Sequence, residues 1–415
     1  MTHRKLVASC FSEGYNEDIW SESISQAQDM MDYWKSKTCI RSTAEDLRTL
    51  SLDVIAKAGF GQSFKFQGHD DATTANPASS YKDSLNLILQ NCILMILMGP
   101  KFFTDTPWLP FKLPVKYRQL GAAITAFKGF MTTMYEDEKN QAANSKVETT
   151  KTPTFLSSLA KASLNAKPGE GMTEREIYGN IFVINFAGHD TSSHVSNFAL
   201  YLIATNPQIQ DWIAEEVRHV FGDAPPSEWD YKTGFPKLKR CLAIAYESLR
   251  LYTPVPVTKW TDKTSQTLDI GDRVLHIPAN TMICFAYASL HTDPRFWGDD
   301  SLTFRPSRFI KTRDAAEDGT AILDAEEFVP PRRGTFLGWS EGARNCPGKK
   351  FAQVELVATL ATLFRDWRVD PVTFDGESLD DARQRVLDLI HNDTGMVLLF
   401  QMLHPEKAPL VWSRR

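Results

Sequence analysis

No stretch of the 415 residues reaches the roughly 18 consecutive apolar positions that a membrane-spanning helix requires. The nearest, "LNLILQNCILMILM" from Leu85 to Met98, is too short and is broken by Gln90 and Asn91. The first residues, "MTHRKLVASCFSEGYNEDIW", hold no continuous apolar region and do not read as a signal peptide. No CxxC or Cys/His zinc spacing occurs among the six scattered cysteines (Cys10, Cys39, Cys92, Cys241, Cys284, Cys346). In so long a chain they read as reduced thiols of a reducing compartment. Nor is there an excess of positive charge. A net charge of −5 gives no global attraction to nucleic acid. No internal repeat is visible, and 42% hydrophobic with 23% charged residues is ordinary for a globular chain.

What is present is mostly helical periodicity. It dominates residues 1–260, and the first residues already look like the inside of a helix, with Leu6, Val7, Phe11 and Ile19 among polar neighbours. The polar segment 139–171 reads as mobile surface structure. It ends at "MTEREI", where Thr173 and Glu176 make a capping box. The helix opened there meets no breaker until Asn206-Pro207, so 174–205 would span about 48 Å. It is apolar nearly all round (Ile181, Phe182, Val183, Ile184, Phe186), as expected of a helix through the middle of a domain. Short strands are expected from 260 to 290 and a hairpin in the tail "GMVLLFQMLHPEKAPLVW". The fold class is therefore mainly α with small β-sheets, in a single domain.

The segment "FLGWSEGARNCPGKKFAQVELVATLATLFRDW" carries the strongest chemical signal. Lys349 to Trp367 has the spacing of an amphipathic helix, with Pro347 suited to its first position. Cys346 then sits at a helix N-terminus, where free N–H groups favour a thiolate. Gly342 and Gly348 permit a sharp turn and close approach of a flat object, and Arg344 offers a fork for a carboxylate. A haem iron with a propionate requires such a set. A buried structural cysteine and a catalytic thiol are the other readings of Cys346 alone, the latter lacking a His/Asn pair to activate it.

Three further pieces accompany it. "FAGHDTSSH", Phe186 to His194, is a polar break in the apolar helix, where Gly188 would admit something to the backbone and Asp190 and Thr191 could pass protons to it. Its His-Asp pair also suggests a metal-dependent phosphohydrolase using His189, Asp190 and His194. The two histidines, five apart, stand about 140° from each other round a helix and do not share a face. "YESLRLYTPVP" sets Glu247 and Arg250 three apart in an apolar helix, as a buried structural pair. "LTFRPSRF" adds Arg308.

In this order the four motifs resemble those of the cytochrome P-450 haem-thiolate monooxygenases, across essentially the whole chain. The resemblance implies haem b (iron protoporphyrin IX) with Cys346 as axial ligand, Arg344 on a propionate, and Trp339, Gly342, Gly348 and Ala187 around the cofactor. It implies oxygen activation by Asp190 and Thr191 beside Gly188, and a proximal lock of Glu247, Arg250 and Arg308. Trp339 replaces the loop's usual phenylalanine, a variant typical of fungal members, and Ser307 stands where many members have an acid. "HRKLVASCF" is similar to the interior of the family's third helix, with Arg4 as a propionate partner. The membrane anchor, the first helices and part of the first sheet of that fold would then be missing, and a catalytically inactive haem-binding remnant is the alternative function. Whether the Lys259–Trp260 region holds a further propionate partner is a question the sequence leaves open.

By the same resemblance the partners are O₂, an apolar small molecule, an NADPH-dependent cytochrome P-450 reductase and cytochrome b5, with no nucleic acid, in a monomer. Lys237, Lys239, Arg240, Lys349 and Lys350 would form the reductase-facing surface. The location implied is the cytosolic face of the endoplasmic reticulum membrane, with Phe102, Phe103, Trp108 and Phe111 either dipping into it or capping their own core. The implied role is oxidation of a terpenoid, polyketide or alkaloid in fungal secondary metabolism.

Overall fold

The computed structural model describes Arg4, Val7, Phe11 and residues 13–69, 80–104, 113–144, 154–164, 172–313 and 322–415. Ten helices of ten or more residues form its body: α1 (Glu13–Trp34), α2 (Thr43–Phe60), α3 (Tyr81–Gln90), α4 (Val115–Asn144), α5 (Phe155–Leu164), α6 (Glu174–Ala204), α7 (Pro207–Phe221), α8 (Lys239–Leu251), α9 (Lys349–Phe364) and α10 (Leu379–Asn392). Ten short strands, β1 (Thr258–Trp260), β2 (Gln266–Asp269), β3 (Val274–Ile277), β4 (Met282–Cys284), β5 (Ile310–Thr312), β6 (Glu326–Phe328), β7 (Trp367–Pro371), β8 (Thr394–Met396), β9 (Phe400–Met402) and β10 (Leu410–Arg414), complete it. They pair antiparallel as five two-stranded sheets, β1–β4, β2–β3, β5–β6, β7–β10 and β8–β9.

The central helix begins where its sequence says it should. Thr173 Oγ1 accepts the Glu176 N–H and the Glu176 carboxylate accepts the Thr173 N–H, closing the capping box. Burial along α6 is uneven. Ser192 to Ala204 are all buried, whereas Val183 in the first half is exposed. The buried half is clamped by α2 and α9, and α9 is buried on every side from Gln353 to Phe364. The amphipathic pattern of 349–367 thus understates its burial, because α1, α6, α7 and α8 surround it.

Two boundaries differ from expectation. α9 stops at Phe364, and Trp367–Pro371 forms β7 on β10, pairing Trp367 with Arg414 and Pro371 with Leu410. Helical spacing runs on through Trp367, but a strand partner more than forty residues away captures it. Pro347 precedes α9 by two residues, Gly348 being its N-cap, rather than occupying the first helical position. Within 139–171, α4 runs on to Asn144 and α5 is a helix, and the rest of that segment lies outside the described residues. The tail forms the β8–β9 hairpin, with β10 returning to β7.

Among the described residues no helix is long and apolar enough to cross a membrane. Phe103 is buried against the core with Phe102 beside it, while Trp108 and Phe111 lie outside the described residues.

Candidate active site

The loop ahead of α9 is built around one sharp reversal. Ser340 and Gly342 take φ of 58° and 82°, the left-handed region where glycine is at ease and serine is not. The reversal lets the Cys346 N–H donate to the Trp339 carbonyl at 2.8 Å and the Asn345 N–H to that of Gly342 at 3.1 Å. Gly338 is there for space. A Cβ on it would stand 2.7 Å from Leu249 of α8 and from the Phe336 ring. Gly348 has an ordinary φ of −86°, and a Cβ on it would meet the Cys346 Sγ at 4.0 Å.

Cys346 is unpaired and exposed, but exposed to a cavity rather than to bulk water. Protein surrounds its thiol elsewhere, so burial raises its pKa, while the Gly348 N–H and the Arg4 charge act in the opposite direction. The cavity, about 380 Å³, has Cys346 on one side and Ala187, Thr191 and Val195 of α6 on the other. Its lining is otherwise largely apolar, with Leu249, Val257, Leu337 and Leu356. Three cations, Arg4, Lys259 and Arg344, line it, and no described lining residue is a carboxylate. Arg4 is aimed by Asn345, whose carbonyl and Oδ1 accept from its guanidinium at 2.7 and 2.9 Å. Lys259 Nζ lies 3.2 Å from the Ser340 hydroxyl, while its neighbour Trp260 faces solvent. A flat apolar group carrying two carboxylates and needing one soft ligand matches this wall, so the residues fit a haem.

Behind the loop, Glu247, Arg250 and Arg308 meet. Arg250 Nε and Glu247 Oε2 are 2.7 Å apart with both side chains fully buried, and Arg308 Nε reaches Glu247 Oε1 at 2.9 Å. Every remaining donor of Arg250 is used, on the carbonyls of His291, Ser301 and Thr303. His291, which no sequence motif singled out, ties this knot to the cysteine loop. Its Nε2 accepts the Leu337 N–H at 2.7 Å, so Nδ1 carries the proton and donates to the Arg250 carbonyl at 3.0 Å. Burial lowers its pKa to about 4. A histidine held neutral stabilises the fold fully above the unfolded pKa of ~6.5, and that contribution is lost as pH falls towards 4. His291→Gln should therefore be less stable than the parent at pH 7.5, by a margin that shrinks by up to ~1.4 kcal/mol per unit below pH 6.5. Urea unfolding of both proteins from pH 7.5 to 5 checks this, and a constant margin would refute it.

The polar break in α6 is divided between two cavities. Thr191 faces the Cys346 cavity, with its hydroxyl donating to the Ala187 carbonyl at 2.5 Å. Asp190 lines a separate cavity of about 220 Å³ with Arg48, Gln90 and Gln401. There Arg48 Nε and His194 Nε2 each stand 3.4 Å from Asp190 Oδ1. Burial raises the pKa of Asp190 against the pull of Arg48, and it lowers those of His189 and His194 to about 3. Both histidines are neutral at physiological pH. Gly188 gives its space to Ile55 of α2, whose Cδ1 would lie 2.2 Å from a Cβ there. Among the described residues no three His, Cys, Asp or Glu side chains are placed to hold a metal ion, which leaves the phosphohydrolase reading without a site. Arg48 is a site residue that no sequence motif announced, and of the Lys259–Trp260 pair it is Lys259 that lines the cavity.

The basic surface is smaller than the sequence suggests. Arg240 is buried and forked onto Glu326 at 2.7 and 2.8 Å, and Lys239 bonds the Glu326 carbonyl. Lys237 and Lys349 remain exposed, the latter 5.3 Å above the Trp339 ring.

The solved structure of a cytochrome P450, CYP102L1, superposes with a TM-score of 0.68 over 99% of this chain and 80% of that one, at 19% identity, which defines the fold. A family model, Cytochrome P450, matches residues 1–397. The chain belongs to the cytochrome P450 family, as an oxidoreductase of the monooxygenase type. It is similar to a cytochrome P450 monooxygenase of Arthrobotrys oligospora, 28% identical over 99% of this chain and 73% of that one. Cytochrome P450 monooxygenase 124 of Postia placenta is 29% identical over 100% of this chain and 74% of its own length. The phomenoic acid biosynthesis cluster cytochrome P450 monooxygenase of Leptosphaeria maculans is 28% identical over 93% and 68%.

Proposed function

We propose that this chain, with haem b bound through Cys346, inserts one atom of O₂ into an apolar small molecule of fungal secondary metabolism. The observation that carries this is the unpaired cysteine facing a largely apolar cavity whose described lining has three cations and no carboxylate. The bound haem supplies two-electron activation of O₂. Cys346 holds the iron, and the Cys346 N–H to Trp339 bond fixes the loop that carries it. Arg4, Lys259 and Arg344 take the propionates. Glu247, Arg250, Arg308 and His291 keep the loop in register from behind. Thr191 holds a proton at its Oγ1 beside the cavity, and Asp190 is held by Arg48 in the neighbouring one. Val195, Leu249 and Leu356 exclude water.

Electrons come from an NADPH-dependent flavoprotein reductase at the face bearing Lys237 and Lys349. The named biosynthetic cluster of the Leptosphaeria relative supports the placing in secondary metabolism. The reduced carbon-monoxide difference spectrum tests the reading. A red-shifted, thiolate-type Soret band is expected, and haem bound without that band would overturn it.

A further inference from the structure

Glu355 lies on α9, with Ala352 three residues before it and Leu356 beside it, both lining the Cys346 cavity. It is 1% exposed, and neither carboxyl oxygen has a hydrogen-bond partner. Buried carboxyls kept for structure look different in this protein. Glu216 accepts the N–H groups of Arg240 and Cys241 at 2.7 and 3.0 Å, and Glu247 takes two arginines. Among the described residues Glu355 is the only side chain with two orphaned buried carboxyl oxygens. Such a group calls for an explanation, since an unpartnered buried polar atom costs about 1–3 kcal/mol.

Its surroundings are hydroxyls, not charges. Ser51 of α2 and Ser192 of α6 stand near enough for their hydroxyls to pull against the effect of burial, though neither reaches a carboxyl oxygen in full hydrogen-bond geometry, and Thr359, one turn along α9, adds another buried hydroxyl without a partner. From the helices packed on α9, no charged or titratable group acts on it. Ser192 itself lines the Cys346 cavity, so one small side chain separates the carboxyl from the cofactor's space.

Resting on the haem reading, we propose that Glu355 is a redox-linked proton acceptor, taking up one proton from water when the iron across Ser192 receives one electron from a reduced flavin donor. The carboxylate gains the proton, the iron gains the electron, and no other bond changes. The buried region thereby keeps its total charge, which surroundings without a counter-charge favour. Burial raises the pKa of Glu355 to about 7, so both forms are accessible at physiological pH. Added negative charge nearby raises it further, and that difference makes proton uptake follow the electron.

Spectroelectrochemical titration of the haem-loaded protein at pH 6, 7 and 8, beside Glu355→Gln, tests this. The parent's midpoint potential should fall as pH rises, by a sizeable fraction of the ~59 mV per unit that equals tenfold for one electron. In Glu355→Gln the slope should drop by at least half, with the thiolate-type carbon-monoxide band intact. Propionate titration is common to both proteins and cancels in the comparison. A pH-independent parent, or an unchanged slope in the variant, overturns the proposal. Should the variant fail to load haem, the reduced-minus-oxidised infrared spectrum of ¹³C-glutamate-labelled parent decides. An isotope-shifted protonated-carboxyl band appearing on reduction supports the proposal, and its absence overturns it. A haem-loaded parent lacking the thiolate band instead defeats the haem-thiolate reading itself.

Discussion

Cys346→Ala protein should fold as the parent does and lose the red-shifted carbon-monoxide band completely, with turnover falling at least a thousandfold, to below detection. The size of the effect follows from the site. A thiolate favours O–O cleavage, and no other described residue lining the cavity is a cysteine or histidine that could take its place. The fold should survive because the thiol faces the cavity and leaves the packed core without it. The backbone bond from residue 346 to Trp339 does not depend on the side chain either. In the absence of haem the two proteins should differ by less than ~0.5 kcal/mol in urea unfolding, as for a substitution outside the core. A residual thiolate-type band in the variant would mean that the ligand has been misassigned.

The second large effect is on stability. Glu247→Ala removes the one carboxylate that pairs with Arg250 among the described residues and leaves a fully buried guanidinium without it. It also frees Arg308 and the Arg305 N–H, which donates to Glu247 Oε1 at 2.9 Å. Breaking one buried pair by deleting a partner costs about 3–5 kcal/mol, and here Arg250 loses its carboxylate while Arg308 keeps only Asp300, at 3.5 Å. Against a typical total of about 5–15 kcal/mol, little or no folded protein should remain at 37 °C. Glu247→Gln keeps an acceptor and should lie between. Soluble yield and thermal melting report the outcome, and an alanine variant melting within about 2 °C of the parent would refute the account.

What the sequence made legible was local. The capping box at Thr173, the breaker at Pro207, the glycine-bearing loop before Cys346 and the Glu247/Arg250 spacing each lie within a few residues, and the structure forms all of them. Less legible was anything that depends on a distant partner. Trp367 fits a helix until β10 captures it. Arg240 counts as a surface charge until Glu326 buries it. His291 matters because Leu337 and Arg250 converge on its two nitrogens. Asp190 and Thr191, adjacent in sequence, face different cavities, because neighbours on a helix point about 100° apart.

The bond between Arg4 and Asn345 joins positions 341 residues apart, immediately beside the cysteine. On a ribosome the first of these positions emerges 341 residues ahead of the second. At ~5–20 residues per second, Arg4 waits roughly 17–70 s for its partner. Throughout that interval the cations have no loop to face and the central helix lacks α9 against its buried half. Cofactor capture therefore waits for the cysteine loop and α9, and nascent intermediates must be kept from aggregating until both have been made.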